Sequence, residues 1–192
     1  MDGKKSFQVY YLVLYEGHAE SSLFAYLTKF KFKETFEKSS IQFSNKVEII
    51  NEDGEQIVSQ GKLNGTSDLK HFKSKHSLIK KKYAGQKLFY LLDKDIDNSS
   101  AIEALIKQDG HFVQFMEYNT EHLLLRLAGK NPQNPTDFAD LKNFRDYCKS
   151  EFVKQFGKHA HKFKDPDFEL IFNIPTEVEV RASFTELFST TE

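Results

Sequence analysis

The spacing of apolar positions changes several times along the chain, and each change marks an element. Residues 9–14 form an uncharged run of β-branched, aromatic and leucine side chains, the pattern of a strand buried on both faces. Beyond Glu16-Gly17 the apolar positions become Leu23, Phe24, Leu27 and Phe30, three and four apart, which predicts a helix over about 20–37. Residues 46–51 predict a strand that Glu52-Asp53-Gly54-Glu55 turns back on Gln56-Ile57-Val58 as a hairpin. Gly61-Lys62-Leu63-Asn64-Gly65 reads as loop. Leu69, Phe72, Ile79 and Tyr83 share the face of a helix over 67–83, with Thr66 or Ser67 as its cap and Gly85 as its end. Residues 87–92 are a second buried strand. Ser100 and Glu103 have capping-box spacing ahead of a helix carrying Ile102, Leu105 and Ile106, which Asp109-Gly110 stops. A strand over 111–118 follows, then a helix capped by Asn119 or Thr120, with Leu123, Leu124 and Leu127 behind it.

Strand and helix thus alternate, which predicts an α/β fold with a mostly parallel, Rossmann-like sheet flanked by helices. Crossovers in such sheets are right-handed, so the loops after parallel strands open on one edge. Asn131-Pro132-Gln133-Asn134-Pro135 breaks the pattern. Beyond it, Thr136 precedes a helix whose Phe138, Leu141, Cys148, Phe152 and Phe156 form a stripe ending at Gly157, residues 168–174 suggest a short strand, and Pro175-Thr176 opens a helical terminal segment. The expected organisation is a domain over 7–129 and a mainly helical C-terminal extension, 130–192, packed on the same core.

Composition narrows this little but usefully. With 192 residues, 39% hydrophobic, 29% charged and 19 phenylalanines, the chain can bury an ample core. A net charge of −1 excludes a uniformly basic nucleic-acid coat. The single cysteine, Cys148, cannot form an intrachain disulfide and lies on an apolar stripe, which favours a reducing cytoplasm and argues against a nucleophile. No apolar run approaches the roughly 20 residues of a membrane span.

The chemistry-bearing residues collect where strands give way to helices. Glu16 and Glu20 follow the first strand, Asp93, Asp95 and Asp97 follow the central one, and Glu121 opens the last helix of the alternation. On one sheet edge these six carboxylates repel one another unless cations neutralise them, and hard oxygen ligands suit Mg²⁺ or Mn²⁺. Each also has a plainer reading: Glu16, Glu20 and Glu121 as acids favoured near a helix N-terminus, Asp97 as a cap. Asp93 and Asp95 close a wholly apolar strand, where a carboxylate without a partner is poorly accommodated.

Glu16-Gly17 after the first strand and Asp93-Lys94-Asp95 after a later one resemble the Toprim domain of topoisomerases, bacterial primases and OLD-type nucleases. Glu20 and Asn119-Thr120-Glu121 bring the likeness nearest to OLD nucleases and small standalone RloB-like proteins. It covers about 7–129, and either Gly61 or Gly65 stands where the family often has a glycine. The resemblance implies a Toprim-like fold and a metal-dependent nuclease of DNA or RNA, with Asp93 and Asp95 on one Mg²⁺. It makes Glu16 a ligand or general acid/base, and Glu20, Asp97 and Glu121 parts of a second site. It also implies a bacterial or phage defence setting beside an ABC-type ATPase. The chain carries no Walker A loop, so that ATPase would be a separate polypeptide.

Two other classes fit parts of the pattern: a phosphotransfer enzyme using Asp93 as nucleophile, and a non-catalytic Rossmann-like module whose acids meet a partner's basic surface. Lys70, Lys73 and Lys80, at helical spacing on the 67–83 helix, form the candidate nucleic-acid surface, with a solvated helix face as the plain alternative. His159-Ala160-His161 lacks a third ligand at useful spacing for a transition metal. Lys158, Lys162 and Lys164 beside it are cations able to approach nucleic acid or the active site.

Overall fold

A computed structural model of the chain describes residues 9–63, 68–94, 98–172 and 176–191. The two long uncharged runs become its central strands, β1 (Val9–Tyr15) and β6 (Lys87–Asp93), paired in parallel from Tyr11↔Lys87 to Tyr15↔Leu91. Beyond β6 lies β7 (Phe112–Met116), also parallel. The other flank of β1 is shared by two strands. β2 (Ile41–Ser44) runs parallel along Val9 to Leu12, and β5 (Lys62–Leu63) meets Tyr15. The expected hairpin forms from β3 (Ile49–Ile50) and β4 (Gln56–Ser59), and continues antiparallel into β5. The sheet is therefore mixed, mostly parallel, in the order β3-β4-β5-β1-β6-β7.

Strand alternation sends two sets of side chains to opposite faces. Tyr11, Val13, Tyr15, Phe89 and Leu91 pack with α1 (His18–Tyr26), α2 (Lys33–Lys38) and α5 (Thr120–Leu127). Phe152 of α6 (Leu141–Phe156), Phe168 of α7 (Asp165–Ile171), Val180 of α8 (Thr176–Ser183) and Leu187 of α9 (Thr185–Ser189) join the same cluster. On the other face Leu14, Leu88, Tyr90 and Leu92 meet Phe72 and Ile79 of α3 (Leu69–Lys82) and Ile102 and Ile106 of α4 (Ser99–Gln108). Gln114 ties the α8–α9 corner to β7, donating to the Ser183 carbonyl at 2.9 Å and accepting from the Glu186 amide at 3.0 Å. Among the described residues no helix is long and apolar enough to cross a membrane.

Several local expectations are corrected. The first helix starts at His18 and breaks into a π-helical turn at Leu27–Lys31, where the Thr28 hydroxyl donates to the Phe24 carbonyl at 2.9 Å and Phe30 is turned outward, 55% exposed. α3 is capped by Asp68, which accepts from the His71 amide at 2.9 Å; Thr66 and Ser67 lie outside the described residues. α4 begins after Asn98 in a left-handed conformation, without a side-chain cap, so Ser100 and Glu103 do not form a capping box. The cap ahead of α6 is Asp140, not Thr136. Of the strand expected over 168–174, residues 168–171 are instead part of the helix α7, and 173 and 174 lie outside the described residues: Pro166 has its φ preset in the first turn, the Lys164 amide donates to Asp167 at 2.8 Å, and Phe168 and Ile171, three apart, enter the core.

Candidate active site

The period of two in β6 puts Asp93 on the side of Phe89 and Leu91, facing α1 and α5. Both helices present their N-termini to the edge where β1, β6 and β7 end, so peptide dipoles favour negative charge there. Glu16 stands just past β1, and its Oε2 accepts a hydrogen bond from the Asp93 amide at 3.3 Å. Glu20, in the first turn of α1, is only 5% exposed. Its Oε1 accepts from the Thr120 hydroxyl at 2.6 Å, and the same hydroxyl lies 3.2 Å from Asp93 Oδ1. Three of the six acids singled out by the sequence are thereby brought together by contacts spanning 77 and 100 residues of chain.

Gly17 makes room for this arrangement. A Cβ there would lie 2.7 Å from Glu20 Oε2, so the carboxylate occupies the space that a side chain at 17 would fill. Asn119 and Thr120 divide the work at the start of α5. Asn119 is the cap, accepting from the His122 amide at 2.9 Å, which leaves the fully buried Thr120 hydroxyl for the acids. The sequence marks Thr120 as an alternative cap and as the middle of Asn119-Thr120-Glu121, but not as a partner of Glu20 and Asp93.

The remaining acids are placed differently. Glu121 is half-buried in the first turn of α5, beside Thr120. Asp95 and Asp97 lie outside the described residues. Among the described residues no three acidic, histidine or cysteine side chains are gathered tightly enough to hold an ion as they stand. The donor chemistry nevertheless fits a hard divalent cation: every group is an oxygen, and the Thr120 hydroxyl has one proton for two carboxylates. Glu20 is a carboxylate almost removed from water beside a neutral donor, an arrangement that a nearby cation relieves.

Thr120→Val keeps the side-chain shape and deletes the proton. The expected result is a loss of about 1.5 kcal/mol of stability, since hydrogen bonds to charged groups exceed neutral ones. Thr120→Ser should stay near wild type in the same urea titration. Equal midpoints for Val and wild type would show that the hydroxyl does not hold Glu20.

The candidate lysines separate along α3. Lys70 and Lys73 are exposed on its first half, toward the rim. Lys80 is carried to the opposite edge, because α3 runs antiparallel to the strands, and its ammonium pairs with Asp109 at 2.6 Å. Asp109 also lies 2.9 Å from Nε2 of the buried His76, whose Nδ1 is 2.7 Å from the Tyr90 hydroxyl. Lys80 thus belongs to a structural network remote from Asp93. Cys148 is fully buried. No family model, curated protein or solved structure matches the chain.

Proposed function

We propose that the chain is a metal-dependent nuclease of Toprim type that hydrolyses phosphodiester bonds in DNA or RNA. The observation that carries this reading is the convergence of Glu16, Glu20 and Asp93 at the ends of the parallel strands, joined through the Asp93 amide and the Thr120 hydroxyl. An open α/β sheet binds its ligands at that edge. A phosphodiester is itself an anion, so three carboxylates repel it unless positive charge intervenes. Glu16, Glu20 and Asp93 would hold Mg²⁺ or Mn²⁺, with Asp95, Asp97 and Glu121 as the further ligands drawn from the sequence. The bound ion would supply charge neutralisation and polarisation of the phosphoryl oxygen.

The chain's own groups have distinct tasks in this reading. Thr120 fixes the spacing of Glu20 and Asp93. Glu16, less buried than Glu20, would be either a ligand or the group that accepts a proton from an incoming water. A separate ABC-type ATPase and a defence setting complete the proposal from the sequence resemblance. The test is incubation of the purified chain with single- and double-stranded DNA and RNA in Mg²⁺, Mn²⁺ or EDTA. Cleavage that needs the divalent ion is expected, and its absence on every substrate would remove the reading.

A further inference from the structure

A second cationic surface, besides that of α3, comes from the C-terminal extension. Residues 158–164, KHAHKFK, fold over a 3₁₀ turn at Ala160–Lys162 that packs on α1. Ala160 and Phe163 anchor it: both are buried, and the Phe163 ring lies 4.9 Å from that of Phe152 and 5.5 Å from that of Phe168. With those positions turned inward, His159, His161 and Lys162 are left exposed, the two imidazoles stacked at 5.3 Å. The turn packs on α1, whose first residue, His18, lines one pocket with Lys62; slight burial, and after it the charges of His159, Lys162, His18 and Lys62, holds the His161 pKa below the ordinary histidine value. Three parts of the chain, the α1 N-terminus, β5 and the 158–164 segment, thus contribute to one basic cluster.

A polar pocket of about 300 Å³ adjoins the cluster, lined by Tyr15, His18, Ser21, Asn45, Gln60 and Lys62. Its outer wall is the β4–β5 turn, held tightly to β1. The Tyr15 amide donates to the Gly61 carbonyl at 2.8 Å, and at Gly61 (φ +79°) a Cβ would lie 2.4 Å from the Val13 carbonyl oxygen, so only glycine permits the approach. Tyr15, His18 and Ser21 bracket Glu16 and Glu20 in the chain, which puts pocket and acids on adjoining parts of one rim.

We infer that this cluster and pocket hold the phosphodiester backbone of a nucleic-acid strand next to the bond being cut, with Lys62 and Lys162 as the cations and His18, His159 and His161 as hydrogen-bond donors. The inference rests on the nuclease reading for the kind of ligand. Its own warrant is that basic groups from separate parts of the chain meet beside a polar pocket on a chain of net charge −1. Lysine charges against phosphates supply affinity with a salt-dependent signature.

The test is fluorescence anisotropy of a labelled single-stranded oligonucleotide with the full chain in EDTA, across a salt series. Lys62→Ala combined with Lys162→Ala should weaken binding about tenfold and shallow the slope of log K against log salt by roughly 0.7 per cation removed. His159→Ala with His161→Ala should weaken it further, with thermal midpoints unchanged because these side chains are exposed. Lys70→Ala with Lys73→Ala should bind within twofold of wild type. A mononucleotide that competes as well as the strand would identify the ligand as a free phosphate compound and overturn the strand assignment. Wild-type affinity in the Lys62/Lys162 variant, equal losses from the α3 pair, or no binding by wild type would each overturn it as well. Divalent-dependent cleavage measured on the same preparations reads the acids separately, so failure of the surface and failure of the nuclease reading give different results.

Discussion

Asp93→Asn is expected to lower divalent-dependent cleavage by about 10² to 10³, the range for removing one electrostatic contact made to a transition state. The substitution is isosteric, and Asn retains a carbonyl oxygen able to accept from Thr120, so the fold should survive. The negative charge at the end of the central strand does not. The same variant should also lose most of the stabilisation that millimolar Mg²⁺ gives wild type, because an ion that binds only the native state raises its stability by mass action. Glu16→Gln, one hydrogen bond away, should behave alike. Cleavage by Asp93→Asn within fivefold of wild type, measured by single-turnover gel assay, would separate the acids from the chemistry.

Acid should weaken the fold through His122. Both ring nitrogens are buried and, among the described residues, neither makes a hydrogen bond of good geometry; the ring sits against Tyr118 at 4.9 Å and Phe144 at 5.7 Å. Burial, reinforced by the Arg126 guanidinium and opposed by Glu117 and by the nearby Gln133 backbone, pulls its pKa down to about 4. In the unfolded chain a histidine takes its proton near 6.5. Between these values the unfolded state binds more protons, so stability is full above about pH 6.5 and falls as pH drops toward 4. The loss should be on the order of 2 kcal/mol. His122→Leu should flatten much of that slope in urea titrations at pH 7.5 and 4.5. A residue of slope should remain from His76 and His111, also held low by burial. Asp109 acts in a lower window. Lys80 and His76 hold its carboxyl below the ordinary value, so the stability it contributes is lost only as pH falls through that depressed pKa. An unchanged slope in His122→Leu would refute the assignment.

Pattern reading succeeded where one physical demand dominated. β6 and the second half of β1 are buried on both faces, Val9 and Tyr10 being exposed, which excludes charge from their interiors and makes Glu16 and Asp93 conspicuous at their ends. It failed where demands competed. Residues 168–174 are apolar enough for a strand, yet Pro166 and the Asp167 cap start a helix. β2 is four residues long and was not anticipated, because its pairing with β1 is set by a partner distant in the chain. Lys70, Lys73 and Lys80 looked equivalent by spacing, but a helix running across the sheet carries its two ends to opposite edges.

The order of apolar and polar residues was enough to determine a mostly parallel α/β sheet with acids after its central strands, because burial on two faces and right-handed crossovers leave few other outcomes. Tertiary structure alone decided which side chains keep those acids company. Thr120 reaches Glu20 across 100 residues, and the C-terminal turn packs on α1, whose His18 shares a pocket with Lys62. Such meetings depend on how layers stack in space, and no local periodicity encodes them.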